Sequence, residues 1–330
     1  MQNSRVRLVF VFNHKYDRNI PKLEAIYGGR FSDIRYLVPF YRGDHPDVIP
    51  IFESSAQFQG YFAQAARSII EPGISHYIFC ADDLLLNPAL DENNVIERFG
   101  LTEGAAYIDY LMALSDVPFE WPHLLPALDV WRYENCVMWK AEIPSAEEAR
   151  ARIARHGIHL GNFGWKNLFG WNGRYNRGRG YLRHLKYLVR RKGNVPPPYP
   201  MLQSYADLII VPGESIEEFC RLCGVFATMR LWVEIAAPTA LALTCDTIIT
   251  RIQHRPVDVI EQTGHRGLAI WAPERVMEIA ERANHQVDRV FPVIGENYLY
   301  LHPVKLSRWN IAAPVTHAAP AVAPEPAIAR

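Results

Sequence analysis

The alternation of strands and helices over residues 1–90 limits the fold more than any other feature of the sequence. Residues 6–13 (VRLVFVFN) are short, β-branched and aromatic, which is typical of a buried parallel strand. A helix with a glycine stop follows, and then come two strands, a second helix and a further strand (IPKLEAIYGGRF, DIRYLVPF, DVIPIFES, SAQFQGYFAQAARSII and HYIFCADD). This order predicts an α/β fold with a mostly parallel sheet flanked by helices.

Polar side chains follow three of these predicted strands at the point where each strand ends. They are Asn13, Glu53 and the adjacent pair Asp82 and Asp83. In open parallel sheets ligands bind beyond the carboxyl ends of the strands, so we expect these side chains to border one cleft. The sequence therefore predicts a binding site at this edge of the sheet.

The rest of the chain is irregular at first and then returns to strands and helices. Residues 111–200 are basic and rich in Gly and aromatics, and we interpret them as an irregular surface insertion. A strand and two apolar helices follow before the folded part closes (ADLIIVP, SIEEFCRLCGVFATM, LWVEIAAPTALALTC and NYLYLHPVKLSRW). We predict a single catalytic domain over residues 1–310 and a disordered Ala/Pro tail at 311–330.

The chain is formally neutral, with 35 Lys and Arg against 35 Asp and Glu, but its charges are unevenly distributed along the sequence. Residues 149–206 contain twelve Lys and Arg and no acid. The rest of the chain therefore carries 35 acids against 35 − 12 = 23 bases, a net charge of −12. A basic segment on an acidic body indicates a surface for phosphates or anionic lipid.

The cysteines and the hydropathy pattern indicate the cellular compartment in which the protein works. Five scattered cysteines, an odd number in a chain of 330 residues, argue against a disulfide framework. Cys220 and Cys223 lack a second pair nearby, which argues against structural zinc. We see no signal peptide and no run of about 18 apolar residues. We therefore predict a cytoplasmic protein, either free or at the cytoplasmic face of the inner membrane.

The acid pair at the end of the strand HYIFCADD is the leading candidate site. Adjacent carboxylates such as Asp82 and Asp83 repel each other unless cations or hydrogen-bond donors compensate them. Mg²⁺ takes oxygen ligands and keeps substrate phosphates in its shell, while Mn²⁺ suits the same ligands and also accepts an imidazole. The alternative is a polar turn in which Asp83 caps a helix.

A late segment, YLYLHPVKLSRW, offers further groups for the same site. His302 follows a short aromatic and aliphatic strand, and its imidazole can complete a metal shell. Lys305 lies three residues further on and can neutralise a phosphate. Because single histidines are often structural, a structural role is the alternative for His302.

The N-terminal α/β unit, the strand that ends in an aspartate pair and the late HPVKLS motif together resemble the GT-A glycosyltransferases. The resemblance implies a GT-A-like, Rossmann-related fold with a nucleotide-binding half at 1–110 and an acceptor and catalytic half at 201–310. It implies a nucleotide-sugar donor, of UDP type, bound through Mn²⁺ or Mg²⁺ at an aspartate motif of DXD type. Here the motif reads ADDL without the spaced first aspartate, so the metal is assigned chiefly to Asp83, with Asp82 facing the donor ribose or the metal. The resemblance also implies a late histidine as a further metal ligand, here His302.

Sugar transfer makes two demands that carboxylates and cations can meet. Negative charge builds on the leaving nucleoside diphosphate, and a metal with Lys305 would stabilise it. In an inverting enzyme a carboxylate also takes a proton from the acceptor hydroxyl.

Two acids are candidates for this base. Glu234 is the only acid in LWVEIAAPTA, and burial there would raise its pKa towards a useful range; the alternative is an ion pair with Arg230 on one helical face. Asp207 opens the strand ADLIIVP and is the second candidate, with a strand-entry turn as its alternative.

Three further polar residues are candidates for contacts with the nucleoside. Asn13 and Asp17 follow the first strand in FNHKYD, and they either bind base or ribose or cap the next helix. Gln59 follows another strand end, next to Gly60, which would permit close approach of a ligand to the backbone. Packing of the helix on the sheet explains Gly60 equally well.

The basic middle segment contains one amphipathic pattern, YLRHLKYLVRRK. Its apolar residues fall at helical spacing with basic residues largely around them, which is typical of a membrane-surface helix. We predict a peripheral membrane contact through residues 173–193 and an acceptor glycan carried on a lipid. The alternative is a helix packed on the core with a solvated basic face.

These patterns predict a metal-dependent glycosyltransferase, similar to bacterial enzymes of surface-polysaccharide biosynthesis, that acts on a glycan or lipid-linked glycan. One alternative is a nucleotidyltransferase acting on a sugar phosphate, although the loop FNHKYDRN lacks the glycines that such enzymes usually carry there. A nucleic-acid-binding protein using the basic middle is the other alternative. No RNA or DNA motif is visible, so we expect no nucleic-acid partner.

Overall fold

A computed structural model describes residues 5–132, 139–169, 181–253, 268–269, 273–295 and 298–309. The predicted tail at 311–330 and the Gly- and Arg-rich stretch at 170–180 lie outside the described residues. Within the described part, no helix combines the length and the apolar character needed to cross a bilayer.

The N-terminal part of the central sheet is parallel. Its strands lie in the spatial order β3-β2-β1-β4, and two helices connect them. The elements are β1 (Arg5–Val11), α1 (Ile20–Tyr27), β2 (Ile34–Pro39), β3 (Val48–Ile51), α2 (Phe58–Ile69) and β4 (Ile74–Ala81). Each corresponds to an element predicted from the sequence, and α1 ends at Gly28 as expected.

The other half of the sheet is mixed. It consists of β6 (Ala105–Ala113), β7 (Leu202–Gln203), β8 (Leu208–Pro212) and β9 (Thr247–Gln253). Strand β8 lies antiparallel between β4 and β6, β7 pairs antiparallel with β6, and β9 pairs parallel with β6. The sheet of eight strands is therefore mostly parallel with antiparallel insertions, and the predicted α/β class is confirmed.

A second, small sheet brings the C-terminal segment to the edge of the first. It is formed by β5 (Leu85–Leu86), β10 (Leu268–Ala269) and β11 (Tyr300–His302) in the order β10-β11-β5. Strand β5 begins two residues after the acid pair. Because Leu301 pairs with Leu85 in an antiparallel register, His302 arrives beside the end of β4.

The remaining helices cover both faces of the central sheet. They are α3 (Val95–Arg98), α4 (Leu124–Asp129), α5 (Ala146–Ala154), α6 (Tyr181–Arg190), α7 (Ile216–Thr228), α8 (Val233–Thr244), α9 (Pro273–Arg282) and α10 (Val290–Ile294). The alternation in β1 shows how the sheet divides two cores: Val9 and Val11 face α2 and α7, whereas Leu8 and Phe10 face α1 and α10.

The middle segment is more closely packed than a surface insertion would be. Ile153, Phe163 and Leu188 are buried in the same core as α7 and α8, and the rings of Trp131 and Tyr199 stack 4.5 Å apart. Burial of each large apolar side chain contributes about 1.5–3 kcal/mol, so this segment stabilises the domain. The expectation of an excursion confined to the surface is therefore wrong for these described residues.

Candidate functional site

The acid pair lies at the end of β4, where the chain turns towards β5. The backbone N–H of Asp82 donates to the carbonyl of Val11 (3.1 Å), and the N–H of Asn13 donates to Asp82 Oδ1 (3.3 Å). Asp82 is buried, and burial together with the charge of Asp83 raises its pKa to about 7. The two adjacent carboxylates therefore lie in different environments, with Asp82 against the first strand.

Asp83 meets the C-terminal segment. Its Oδ1 lies 3.3 Å from His302 Nε2, and its carbonyl accepts a hydrogen bond of 2.5 Å from the N–H of Val304. Burial tends to raise the pKa of Asp83, but His302 and the nearby Lys305 outweigh this and lower it. Asp83 is thus held as a carboxylate by two cationic groups.

Asp207 approaches the same nitrogen of the imidazole as Asp83 does. Its Oδ1 lies 3.5 Å from His302 Nε2. Since β8 runs antiparallel to β4, the residue before β8 lies at the edge where β4 ends, and the N–H of Ala81 donates to the Asp207 carbonyl (2.8 Å). Burial raises the pKa of Asp207 even though His302 lowers it.

His302 is consequently placed between two carboxylates. Its side chain is only 7% exposed, and this burial disfavours the imidazolium. Asp207 and Asp83 reverse the effect and raise the pKa of His302 to about 9. The trio of Asp83, Asp207 and His302 therefore forms a compact charge cluster at the carboxyl edge of the sheet.

Glu234 enters the cleft from the first turn of α8. Burial, followed by the charge of Asp207, raises its pKa to about 8. The predicted alternative, an ion pair with Arg230 on one helical face, is wrong. Arg230 lies in the turn before α8 with φ of 55°, and no ion pair of the described residues joins it to Glu234.

Two cavities meet at this cluster. The larger, of about 310 Å³, is lined by Asn13, Ser55, Phe58, Asp83, Ala206, Asp207, Trp232, Val233, Glu234, His302, Pro303 and Lys305. The smaller, of about 130 Å³, is lined by Asn13, His14, Tyr16, Asn19, Asp82, Asp83, Lys305, Leu306 and Ser307. Asn13, Asp83 and Lys305 border both, so a ligand that spans them would pass these three side chains.

Most of the residues predicted from the sequence are brought together here, and three are not, since Glu53, Gln59 and Asp17 line neither cavity. Gln59 is fully buried in α2, where its Nε2 donates to the Leu231 carbonyl (2.6 Å). A Cβ on Gly60 would come within 3.2 Å of Ala227 on α7, which fits the packing explanation for this glycine. Asp17 opens a short 3-10 helix and lines neither cavity.

The structure also adds residues that the sequence analysis did not single out. Phe58 and Trp232 line the larger cavity, and the Trp232 ring stacks on His123 with centroids 3.5 Å apart. Asn19 lines the smaller cavity, where its side chain favours the charged form of Asp82. Trp232 could have been noticed from its position two residues before Glu234. Nothing local marks Phe58 or Asn19.

The donor groups fit a divalent ion only in part. Among the described residues, no group of three or more His, Cys, Asp and Glu is arranged to hold a metal ion by itself. The 3.3 Å between Asp83 Oδ1 and His302 Nε2 is close to the ~3.0 Å that separates neighbouring ligands of an octahedral ion. Mg²⁺ is often held by one or two protein ligands plus substrate phosphates, so this pair fits a metal that arrives with a diphosphate.

Comparison with protein families and curated proteins finds no match, so a functional conclusion depends on the geometry of the site. No protein-family model matches the chain, and no curated protein is significantly similar to it.

Proposed function

We propose that the protein is a metal-dependent glycosyltransferase of GT-A type that transfers a sugar from a nucleotide-sugar donor to a glycan acceptor. The observation that carries this proposal is the meeting of Asp83, Asp207 and His302 from three distant segments at the carboxyl edge of the sheet. Lys305 and Glu234 line the same cavity. Carboxylates, an imidazole and a lysine at this edge are groups that can bind a metal ion and the diphosphate it carries.

Binding of the donor is assigned to the groups shared by the two cavities. Asp83 and His302 would hold Mn²⁺ or Mg²⁺, which when bound would supply positive charge against the leaving diphosphate. His302 would give up its proton to the solvent on binding the metal, because only the neutral imidazole is a metal ligand. Lys305 would contact a phosphate, because it is exposed and lines both cavities. Asn13 and Asp82 would bind the ribose of a UDP-type donor from the smaller cavity.

Glu234 is assigned as the base that accepts the proton of the acceptor hydroxyl. Asp207 is the second candidate, but its Oδ1 lies 3.5 Å from His302 Nε2. Because Asp207 is engaged in this ion pair, Glu234 is the better candidate for the base. In an inverting transfer the hydroxyl oxygen bonds to the anomeric carbon while its proton passes to Glu234. The bond from that carbon to the phosphate oxygen breaks, and the diphosphate leaves with the electron pair. A base with a pKa of about 8 is well matched to this step near neutral pH.

The acceptor is proposed to be a glycan or lipid-linked glycan of a bacterial surface polysaccharide, made on the cytoplasmic side of the membrane. Phe58 and Trp232 in the larger cavity support a sugar acceptor, since aromatic rings provide apolar surface for the face of a pyranose.

A screen for ligand-induced stabilisation tests the proposal before the acceptor is known. Thermal unfolding is measured with a panel of nucleoside diphosphates and nucleotide sugars, each with and without Mn²⁺. We expect stabilisation that needs both components, since a ligand at 100 times its Kd stabilises the native state by about 2.7 kcal/mol. Stabilisation by none of the pairs would contradict the proposal, and Mn²⁺-dependent stabilisation by a sugar phosphate and a nucleoside triphosphate would favour nucleotidyl transfer.

A further inference from the structure

Helix α6 exposes two apolar side chains that flank its core-facing residues. Leu182 is 77% exposed and Val189 is 59% exposed. The helix has a buried face as well, because Leu188 is buried and Leu185 packs against the core. Core packing therefore accounts for Leu185 and Leu188, whereas Leu182 and Val189 stay largely exposed in the described part of the chain.

The exposed apolar residues share their face with basic residues. Leu182, Lys186 and Val189 are spaced by four and three residues, which places them on one side of a helix. Lys186 and Arg190 are exposed, and so are Arg191 and Lys192 in the turn that follows. None of the ion pairs among the described residues involves these four cations.

A tryptophan extends this surface beyond the end of the helix. Trp165 is 46% exposed, and a Cβ on Gly193 would lie 2.2 Å from its Nε1. Gly193, with φ of 70°, thus leaves room for the indole next to the basic turn. Leu182, Val189 and Trp165, with Lys186 and Arg190–Lys192, are referred to below as the α6 surface.

The composition of the surface favours one kind of partner. No acid occurs between Glu148 and Asp207 in the sequence, so the surroundings of the α6 surface add no compensating carboxylate from this segment. Exposed aliphatic residues, a rim of Lys and Arg and an amphipathic indole are the groups that bind the interface of an anionic bilayer. A nucleic acid would use the cations but would leave Leu182 and Val189 exposed.

We propose that the α6 surface docks the protein onto an anionic membrane, with α6 lying in the plane of the interface. The helix is anchored to the domain through Leu188, so docking fixes the orientation of the whole protein on the bilayer. This inference does not depend on the proposed reaction, and binding to vesicles can be measured without any sugar substrate.

Flotation with vesicles tests the docking surface directly. The vesicles are phosphatidylcholine and phosphatidylglycerol in equal parts, with pure phosphatidylcholine as the neutral comparison. We expect the protein to float with the anionic vesicles at low salt, to leave them at high salt and not to float with the neutral ones. Absence of binding to the anionic vesicles at low salt would overturn the proposal. A mobility shift with RNA, together with no binding to either kind of vesicle, would also overturn it.

Paired variants separate the apolar and the charged contributions. Leu182→Asp with Val189→Asp should weaken partitioning by about tenfold or more, because it places charge where apolar groups enter the interface. Lys186→Glu with Arg190→Glu should weaken it by about fivefold for each unit of charge removed. Met277→Asp on α9, where Met277 is 56% exposed, is the matched control and should bind like the original protein.

The comparison of these variants decides the location of the surface. All four substituted residues of α6 are exposed, so we expect unchanged thermal unfolding. A Leu182→Asp, Val189→Asp variant that floats as well as the original protein would overturn the proposal. An equal loss in Met277→Asp would do the same, because the effect would then not belong to α6.

Discussion

At the residue scale, Glu234 combines two properties that favour a catalytic role for its carboxyl group. It lines the larger cavity, and burial with the charge of Asp207 raises its pKa to about 8. A general base with this pKa is mostly protonated at pH 7 and becomes active as the pH rises. The pH dependence of the reaction and of stability therefore report on the same group in different ways.

Replacing Glu234 by Gln should stop turnover and spare donor binding. The carboxylate that takes the hydroxyl proton is lost, and general bases typically contribute about 10²–10⁴-fold to the rate. The measurement is steady-state transfer together with calorimetric binding of the nucleoside diphosphate. Loss of donor binding in a folded variant would assign Glu234 to the donor site instead.

The rate of the original protein should rise with pH. Because the base works when deprotonated, we expect kcat/KM to increase from pH 6 and to level off above the pKa of about 8 of Glu234. A profile of kcat/KM from pH 6 to about 10 checks the sign. A rate that falls over this range would show that the group must be protonated.

The free energy of unfolding should fall as the pH rises, whereas the rate of transfer should increase. The pKa of Glu234 is raised from an ordinary 4.5, so its stabilising contribution is full below pH 4.5 and is lost as the pH rises through about 8. Glu234→Gln lacks this loss, and its stability relative to the original protein should grow between pH 5 and 9 by about 1.4 kcal/mol per unit of the shift that is realised. Urea unfolding at both pH values measures this. A variant that is equally less stable at both would indicate a structural role.

At the scale of secondary-structure elements, a buried ion pair joins three strands. Arg251 on β9 donates two hydrogen bonds to Asp109 on β6 (2.7 and 2.9 Å), and the Tyr300 hydroxyl on β11 donates to the same carboxylate. Strand β11 carries His302, so this contact connects the central sheet to the element that completes the charge cluster. The pair therefore supports the position of His302.

Breaking this pair should be costly. Arg251→Met leaves Asp109 buried without its cation, and we expect a loss of about 3–5 kcal/mol in the free energy of unfolding. The matched variant Arg251→Met with Asp109→Asn removes both charges and should recover part of that loss. Denaturant unfolding of the two variants tests this, and equal stabilities would show that the buried charge is not the cause.

The elements also show which part of the fold can be predicted from the sequence. The strands β1 to β4 with α1 and α2 have local signals, namely apolar runs, a glycine stop and polar strand ends, and these predictions are confirmed. The antiparallel direction of β8 and the pairing of β5 with β11 have none, because they depend on contacts between distant segments. For this reason Asp207 and His302 could be named as candidates, but their contact could not be predicted.

At the scale of the whole molecule, the site joins the N-terminal half of the sheet to the segment at residues 300–309. Lys22 on α1 donates to the carbonyls of Leu306 and Trp309 (2.7 and 3.1 Å), which fixes the segment that carries Lys305 against the N-terminal half. The α6 surface belongs to the separate basic segment. Donor binding and membrane docking are therefore assigned to different parts of the molecule and can be altered independently.

Calorimetric titration of a nucleoside diphosphate, with and without Mn²⁺, tests the central claim most directly. The original protein is compared with Asp83→Asn, which keeps the size of the side chain but removes the charge held by His302 and Lys305. We expect binding that requires Mn²⁺ and is at least about tenfold weaker in the variant, since a hydrogen-bonded charge contributes about 1.5–3 kcal/mol. Binding of equal strength in both proteins, or binding that is indifferent to Mn²⁺, would contradict it.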